Sequence, residues 1–327
     1  GMSNTTLHNP TAATKKTFSV ADFKVFGERY GIDYRFPLLT DTSANTSPVL
    51  HGDVEEMILP SGISLTHSDV RVLQPYETTS RHSSPLYVLV VLEGCVTLTL
   101  SGEVYSVRPG MAFSARLSEQ QAMSARHDAD IALKTLSFGV YPDDARRESL
   151  LASLLDQWEK LNAPTFVWQV PDFVLAGIQH ARQRERSSLS RQLLLEGVMY
   201  QLLGHGLHLR EQQGTALAGA SGGEHARLEQ IRHLLAQAPE QDYTLAQLAA
   251  RAAMSPSSLR SKFRQAYGCT VFAYLRDCRL AQARRYLLEG HSVQQAAWMS
   301  GYQHATNFAT AFRRRYGVCP GTIRSSR

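Results

Sequence analysis

Cysteine is scarce and scattered: Cys95, Cys269, Cys278 and Cys319 form no CxxC pair and no ligand-like cluster. Neither a disulfide framework nor a zinc module is indicated, so reduced thiols are expected. Long apolar runs are missing too. The longest, residues 86–92, falls far short of the ~20 residues that cross a bilayer, and no charged-then-apolar leader opens the chain. The expectation is a cytoplasmic protein with no membrane partner, its first Gly left by an expression tag. A strong overall charge is also lacking, at +5 over 327 residues, but the balance hides an asymmetry. Residues 224–327 hold 15 Lys and Arg against 6 Asp and Glu, and residues 1–223 hold 19 against 23. Basic charge gathered in one third of the chain is the footprint of a phosphate-binding face. The rest of the composition, 43% apolar and 19% charged, is ordinary for globular protein of about two domains.

Within the basic third, residues 292–324, SVQQAAWMSGYQHATNFATAFRRRYGVCPGTIR, read as two helices with a break. Ser292 caps a short helix to Met299, in which Val293, Ala296 and Ala297 form one apolar stripe. Gly301 supplies the left-handed exit from it. In the next helix Phe308, Phe312 and Tyr316 recur every four residues and face inward, leaving His304, Thr306, Asn307, Thr310, Arg313 and Arg314 outside. Short hydrogen-bonding side chains first and arginines later suit a helix that reads base edges and then holds phosphates. Gly317 and Pro320 end it.

The pattern occurs twice. Residues 244–271, TLAQLAARAAMSPSSLRSKFRQAYGCTV, align with it if the second turn carries one extra residue. Leu259 then matches Phe308, Phe263 Phe312, Arg264 Arg313, Tyr267 Tyr316, and Gly268 Gly317. Thr244 caps the first helix of this copy, Ser255 with Pro256 opens the second, and Ser257, Arg260, Ser261 and Arg264 lie on its outer side. Residues 271–288 form one long spacer helix, with Phe272, Leu275, Cys278 or Arg279, and Leu287 spaced to pack on both copies. If that spacer holds the reader helices about 34 Å apart, both enter successive major grooves.

Residues 224–327 resemble the DNA-binding domain of the AraC/XylS transcription regulators: two helix-turn-helix units on a long helix, with a Gly-Tyr turn, a Phe-xxx-Phe-Arg-Arg helix and a Gly-xx-Pro in the second. The resemblance implies that Ser257, Arg260, Ser261, His304, Thr306, Asn307 and Thr310 touch DNA. Ala305 and Ala311 are small, and Ser257 and Ser258 short, so which helix dominates readout stays open.

The first half has a different texture. Residues 1–50, rich in Thr, Ser, Asn and Pro with one helical patch at 20–30, read as an arm. Residues 51–141 hold about eight β-rich runs, at 54–59, 63–66, 70–73, 86–92, 96–100, 103–107, 111–115 and 131–140, which imply a barrel or jelly roll. The stretch GCVTLTLSGEVYSVRPGMAF (94–113) resembles the hairpins of small cupin barrels. Where a metal cupin carries its ligands this chain has Ser80, His82, Tyr87 and Phe113, and one imidazole cannot make a three-ligand site. The barrel therefore reads as a binding cup with no catalytic residue, metal or cofactor. Arg81, His82 and Tyr87 are its candidate ligand contacts, set against the plainer role of capping strands at the rim. Amphipathic helices at 142–161, 171–185 and 189–209 make up a helical region, 142–210; the last, with a seam of Leu195, Val198, Met199, Leu202, Gly206 and Leu209, either covers the barrel or pairs with a second copy. Residues 211–224, EQQGTALAGASGGE, read as a flexible linker to a DNA-binding domain at 225–327.

The expected fold class is α+β in two domains, an N-terminal cupin-like β-barrel with following helices and a C-terminal all-α double helix-turn-helix. The expected function is a ligand-responsive, sequence-specific regulator, an activator and not an enzyme, working as a homodimer on double-stranded promoter DNA with RNA polymerase as partner. Within the family, YQHATNFATAFRRRYGVCP and LLLEGVMYQLLGHGLHL (193–209) resemble the branch of the pyochelin regulator, which implies siderophore or iron-uptake genes and a ferric siderophore as small-molecule effector. Two other classes fit the same residues: a cupin enzyme fused to a DNA-binding tail, and a ligand-independent architectural DNA binder whose barrel only dimerises.

Overall fold

The computed structural model describes residues 16–39, 45–161, 165–183, 185–219 and 223–323; the start of the expected arm lies outside them. The arm's described part is built into the N-terminal half as β1 (Lys16–Ser19), α1 (Val20–Tyr30) and β2 (Ile32–Arg35). Ser19 and Asp22 box the start of α1, and Gly31, left-handed at φ 65°, turns the chain back into β2. Nine strands follow: β3 (Pro48–Ile58), β4 (Ser64–Val72), β5 (Tyr76–Ser80), β6 (Ser84–Glu93), β7 (Val96–Leu100), β8 (Glu103–Val107), β9 (Met111–Leu117), β10 (Met123–His127) and β11 (Ile131–Val140). A last strand, β12 (Phe166–Gln169), returns after two helices.

These strands form two antiparallel sheets, β1-β3-β4-β11-β6-β9-β12 and β2-β5-β10-β7-β8. One apolar core, drawing on both, fills the space between them. The cupin-like half is thus two facing sheets rather than one unbroken ring. The interior strand β6, between β11 and β9, explains the longest apolar run: Leu89 and Val91 point between the sheets, while Leu86, Val88 and Val90 point outward under the helices. Those helices are α2 (Pro142–Arg147), α3 (Ser149–Glu159), α4 (Asp172–Ala181) and α5 (Ser188–Gly219). On α5 the stripe Leu195, Val198, Met199 and Leu202 is buried against the larger sheet's core. The helix runs on to Gly219, into the stretch that reads as linker, because Glu, Gln, Leu and Ala outnumber the glycines there.

The C-terminal half is all helical: α6 (Glu224–Gln237), α7 (Leu245–Arg251), α8 (Pro256–Tyr267), α9 (Val271–Leu288), α10 (Val293–Met299) and α11 (Ala305–Tyr316). Leu275, Cys278 and Leu287 of α9 are buried as their spacing requires. Phe272 is not, and stays 40% exposed. The inward stripe of α9 is Val271, Tyr274, Leu275 and Cys278, which turns the position after Val271 toward solvent. Arg279 instead clamps the loop before α7, donating to the carbonyls of Pro239 and Gln241.

Candidate nucleic-acid interface and the enclosed cavity

The two helix-turn-helix units have the same construction. Thr244 and Gln247 box the start of α7, Ser292 and Gln295 that of α10. Inside, Leu259, Phe263 and Tyr267 of α8 and Phe308, Phe312 and Tyr316 of α11 are buried, and Gly268 and Gly317 end these second helices in the left-handed conformation. The turn into α11 is made by Gly301 at φ 92°, where a Cβ would stand 2.9 Å from the Glu240 carbonyl. The turn into α8 uses Ala253 at φ 52°.

Burying one stripe exposes the other. Ser257, Arg260, Ser261 and Arg264 on α8, and His304, Thr306, Asn307, Thr310, Arg313 and Arg314 on or beside α11, are all exposed. The Thr310 hydroxyl turns back to donate to the Thr306 carbonyl, 3.1 Å. Ser261 and Arg264 also line a groove whose other wall, Pro109, Gln169 and Asp172, belongs to the N-terminal half.

Arg315, next in the run, behaves differently. It reaches back across the domain boundary, pairing with Asp128 and donating to Thr97, with Asp277 at 3.4 Å. Asp277 of α9 in turn accepts from Arg108 (2.7 Å) and Ser106 (3.1 Å). Arg284 of α9 pairs with Glu77, and Arg126 lies 4.3 Å over the Tyr316 ring. Arg232 of α6 pairs with Glu103 at 3.0 Å, and the Tyr274 hydroxyl donates to the Val104 carbonyl at 2.6 Å. Every residue of the N-terminal half in this set except Arg108 and Asp128 comes from β5, β7, β8 or β10, so the C-terminal half is docked on the outer face of the smaller sheet. Sequence reading missed this seam, although a signal existed: Arg315 follows Phe308 by two helical turns and shares its buried side.

The inner face of the same sheet lines a cavity of about 260 Å³. Strand alternation puts Tyr76, Thr78 and Ser80 of β5 inside and Glu77 outside, Val96 and Leu98 of β7 inside and Thr97 outside, Ala125 and His127 of β10 inside and Arg126 outside. Phe18, Phe23, Phe26, Ile32 and Tyr34 from the arm form one end. Of the three ligand candidates, His82 and Tyr87 line the cavity, whereas Arg81 pairs with Asp33 at the surface. Burial pushes the Tyr87 hydroxyl up to about 12 and the His82 imidazole below its ordinary range. Ser80 lines the cavity beside them, and Phe113 is fully buried in the core between the sheets. Among the described residues no group of three His, Cys, Asp or Glu side chains is placed to hold a metal, and no helix is long and apolar enough to cross a membrane. All four cysteines are free.

Comparison with known proteins gives two family matches: a helix-turn-helix domain over residues 248–326 and the "Regulatory protein PchR N-terminal domain" over residues 51–221. The chain is 25% identical over 278 residues to the HTH-type transcriptional activator RhaS of Klebsiella pneumoniae, covering 82% of this chain and 94% of that protein. Among solved structures it is similar to the DNA-binding domain of AdpA in complex with a target DNA, at 27% identity over 29% of this chain and 86% of that one, TM-score 0.28. It is also similar to ToxT from Vibrio cholerae, at 13% identity over 79% and 96%, TM-score 0.33.

Proposed function

Because the chain belongs to the AraC-type DNA-binding transcriptional regulators, with the PchR N-terminal domain as its sensor half, we propose that it is an activator switched by a small molecule held between the two sheets. One observation carries this reading: the cavity and the seat of the DNA-binding half are opposite faces of the same strands. An effector that shifts Tyr76 or Thr78 shifts Glu77 with them, and so bears on Arg284 of the spacer helix. Ligand binding then changes how the reader helices are held, which is a coupling between two distinct sites. The exposed Leu189 and Leu193 of α5, away from the buried stripe, support a homodimer through that helix, and the bound dimer would recruit RNA polymerase at the promoter.

The PchR match supports siderophore or iron-uptake genes as targets and a siderophore as effector. A cavity of this size argues for ligand sensing over a purely architectural DNA binder, and the donor set at Ser80, His82, Tyr87 and Phe113 argues for a sensor over a cupin enzyme. The test is an operator selected in vitro, titrated with the full chain in the presence and absence of metabolites and siderophores that raise its melting temperature. A change of about 5- to 150-fold in affinity is expected for the true effector. Equal affinity, footprint and transcription with every stabilising compound would reject the reading.

A further inference from the structure

Among the described residues that line the cavity there is no Asp, Glu, Lys or Arg. One carboxylate, Glu56, lies beside it, opposite Thr66 in the β3–β4 pairing, and accepts the Ser64 hydroxyl. The walls divide into two kinds of surface. On the larger sheet, hydroxyls stand in rows, Thr66 opposite Ser137 and Ser68 opposite Thr135. At the arm end are rings: Phe23 lies 5.0 Å from Tyr34 and 5.3 Å from Tyr76, and Tyr76 stacks on His127 at 4.6 Å. Two imidazoles complete the lining, and the buried His127 Nδ1 and His82 Nε2 have no hydrogen-bond partner among the described residues. From Tyr76 to Ser80 the slot is about 13 Å long.

We propose that the effector is an uncharged, ring-bearing molecule of about ten to fifteen non-hydrogen atoms, seated against the Phe23, Tyr34 and Tyr76 rings and hydrogen-bonded to the imidazoles and the hydroxyl rows. The size follows from scale, since a cavity of about 150 Å³ holds benzene. The charge follows from solvation. A carboxylate or ammonium placed here loses its water and meets no counter-charge among the described lining residues. The cavity disfavours cations even on its own side chains: burial, and next the charge of Arg126, lower the His127 pKa to about 4. A siderophore therefore enters only as an uncharged species of this size. The inference rests on the ligand-responsive reading and narrows it.

Calorimetric titration of the full chain at neutral pH with indole carboxamide, indole carboxylate and tryptamine, matched in shape and differing in charge, tests it. The carboxamide should bind at least about tenfold more tightly than either charged probe, and the carboxylate should gain as pH falls toward its pKa. Ser68→Leu, which fills the slot from one wall, should remove carboxamide binding, whereas the near-isosteric Ser68→Cys should keep it. Equal or tighter binding of the carboxylate or of tryptamine overturns the proposal, as does failure of the carboxamide to bind. Operator affinity measured alongside separates the two readings. Carboxamide binding without any change at DNA rejects the regulatory coupling and leaves the ligand class standing. A carboxylate that binds and also moves operator affinity does the reverse.

Discussion

Asn307 and Arg313 share one exposed helix and should fail in different ways. Asn307→Ala removes a side chain able to hydrogen-bond a base edge, so it should cost about 1–3 kcal/mol on the preferred sequence only. Arg313→Ala or Arg314→Ala should weaken all duplexes alike and lower the slope of log affinity against log salt by about 1. Anisotropy titrations on selected and scrambled duplexes check both; a change of sequence preference in the Arg313 variant would reverse the assignment. His127 makes a prediction about acid. Its imidazole takes a proton near pH 4 in the folded protein and about 6.5 when unfolded. Between those values the unfolded chain binds the extra proton, so stability falls as pH drops, by up to about 3 kcal/mol. Urea denaturation at neutral and acidic pH should show this slope, and His127→Gln should flatten it.

At the scale of elements, the helix-turn-helix repeat was legible because its determinants are local: caps, an aromatic at every fourth position and a closing glycine. Strands β5, β10 and β12 were not read, since segments such as YETTS and MSARH carry little apolar alternation and exist as strands only because neighbours pair with them. The arm's share of the cavity was hidden for a related reason: α1 is readable as a helix, but where Phe23 and Phe26 insert depends on sheets formed much later in the chain. The spacer's buried side was read in outline and missed at Phe272. The two copies also differ where alignment put an extra residue. Ala253 holds a left-handed φ that glycine adopts freely, so Ala253→Gly should be neutral to stabilising by about 1 kcal/mol. A fall in melting temperature for this variant would show that the Ala253 methyl contributes more by packing than it costs in strain.

For the whole molecule, the decisive contacts are those that no single half contains. The Arg315, Asp128 and Asp277 cluster is nearly solvent-free, and Arg284 is 4% exposed where it meets Glu77. Removing one member of such a set costs far more than a surface pair, about 3–5 kcal/mol, because the others stay buried without compensation. Arg315→Ala should therefore release the DNA-binding half. Small-angle scattering should show a larger radius of gyration, and operator affinity should persist but cease to respond to the proposed effector. An unchanged radius with a normal response would mean that the seam does not transmit.

Arg313, Arg314 and Arg315 are consecutive, yet they answer to different media. The first two face bulk electrolyte, where mobile ions screen within roughly 10 Å, and the third lies in a crevice those ions scarcely enter. If Arg313 and Arg314 hold phosphates, rising ionic strength would loosen the hold on the duplex while leaving the internal clasp shut. A single residue step along α11 thus separates side chains open to the salinity of their surroundings from one that is insulated against it.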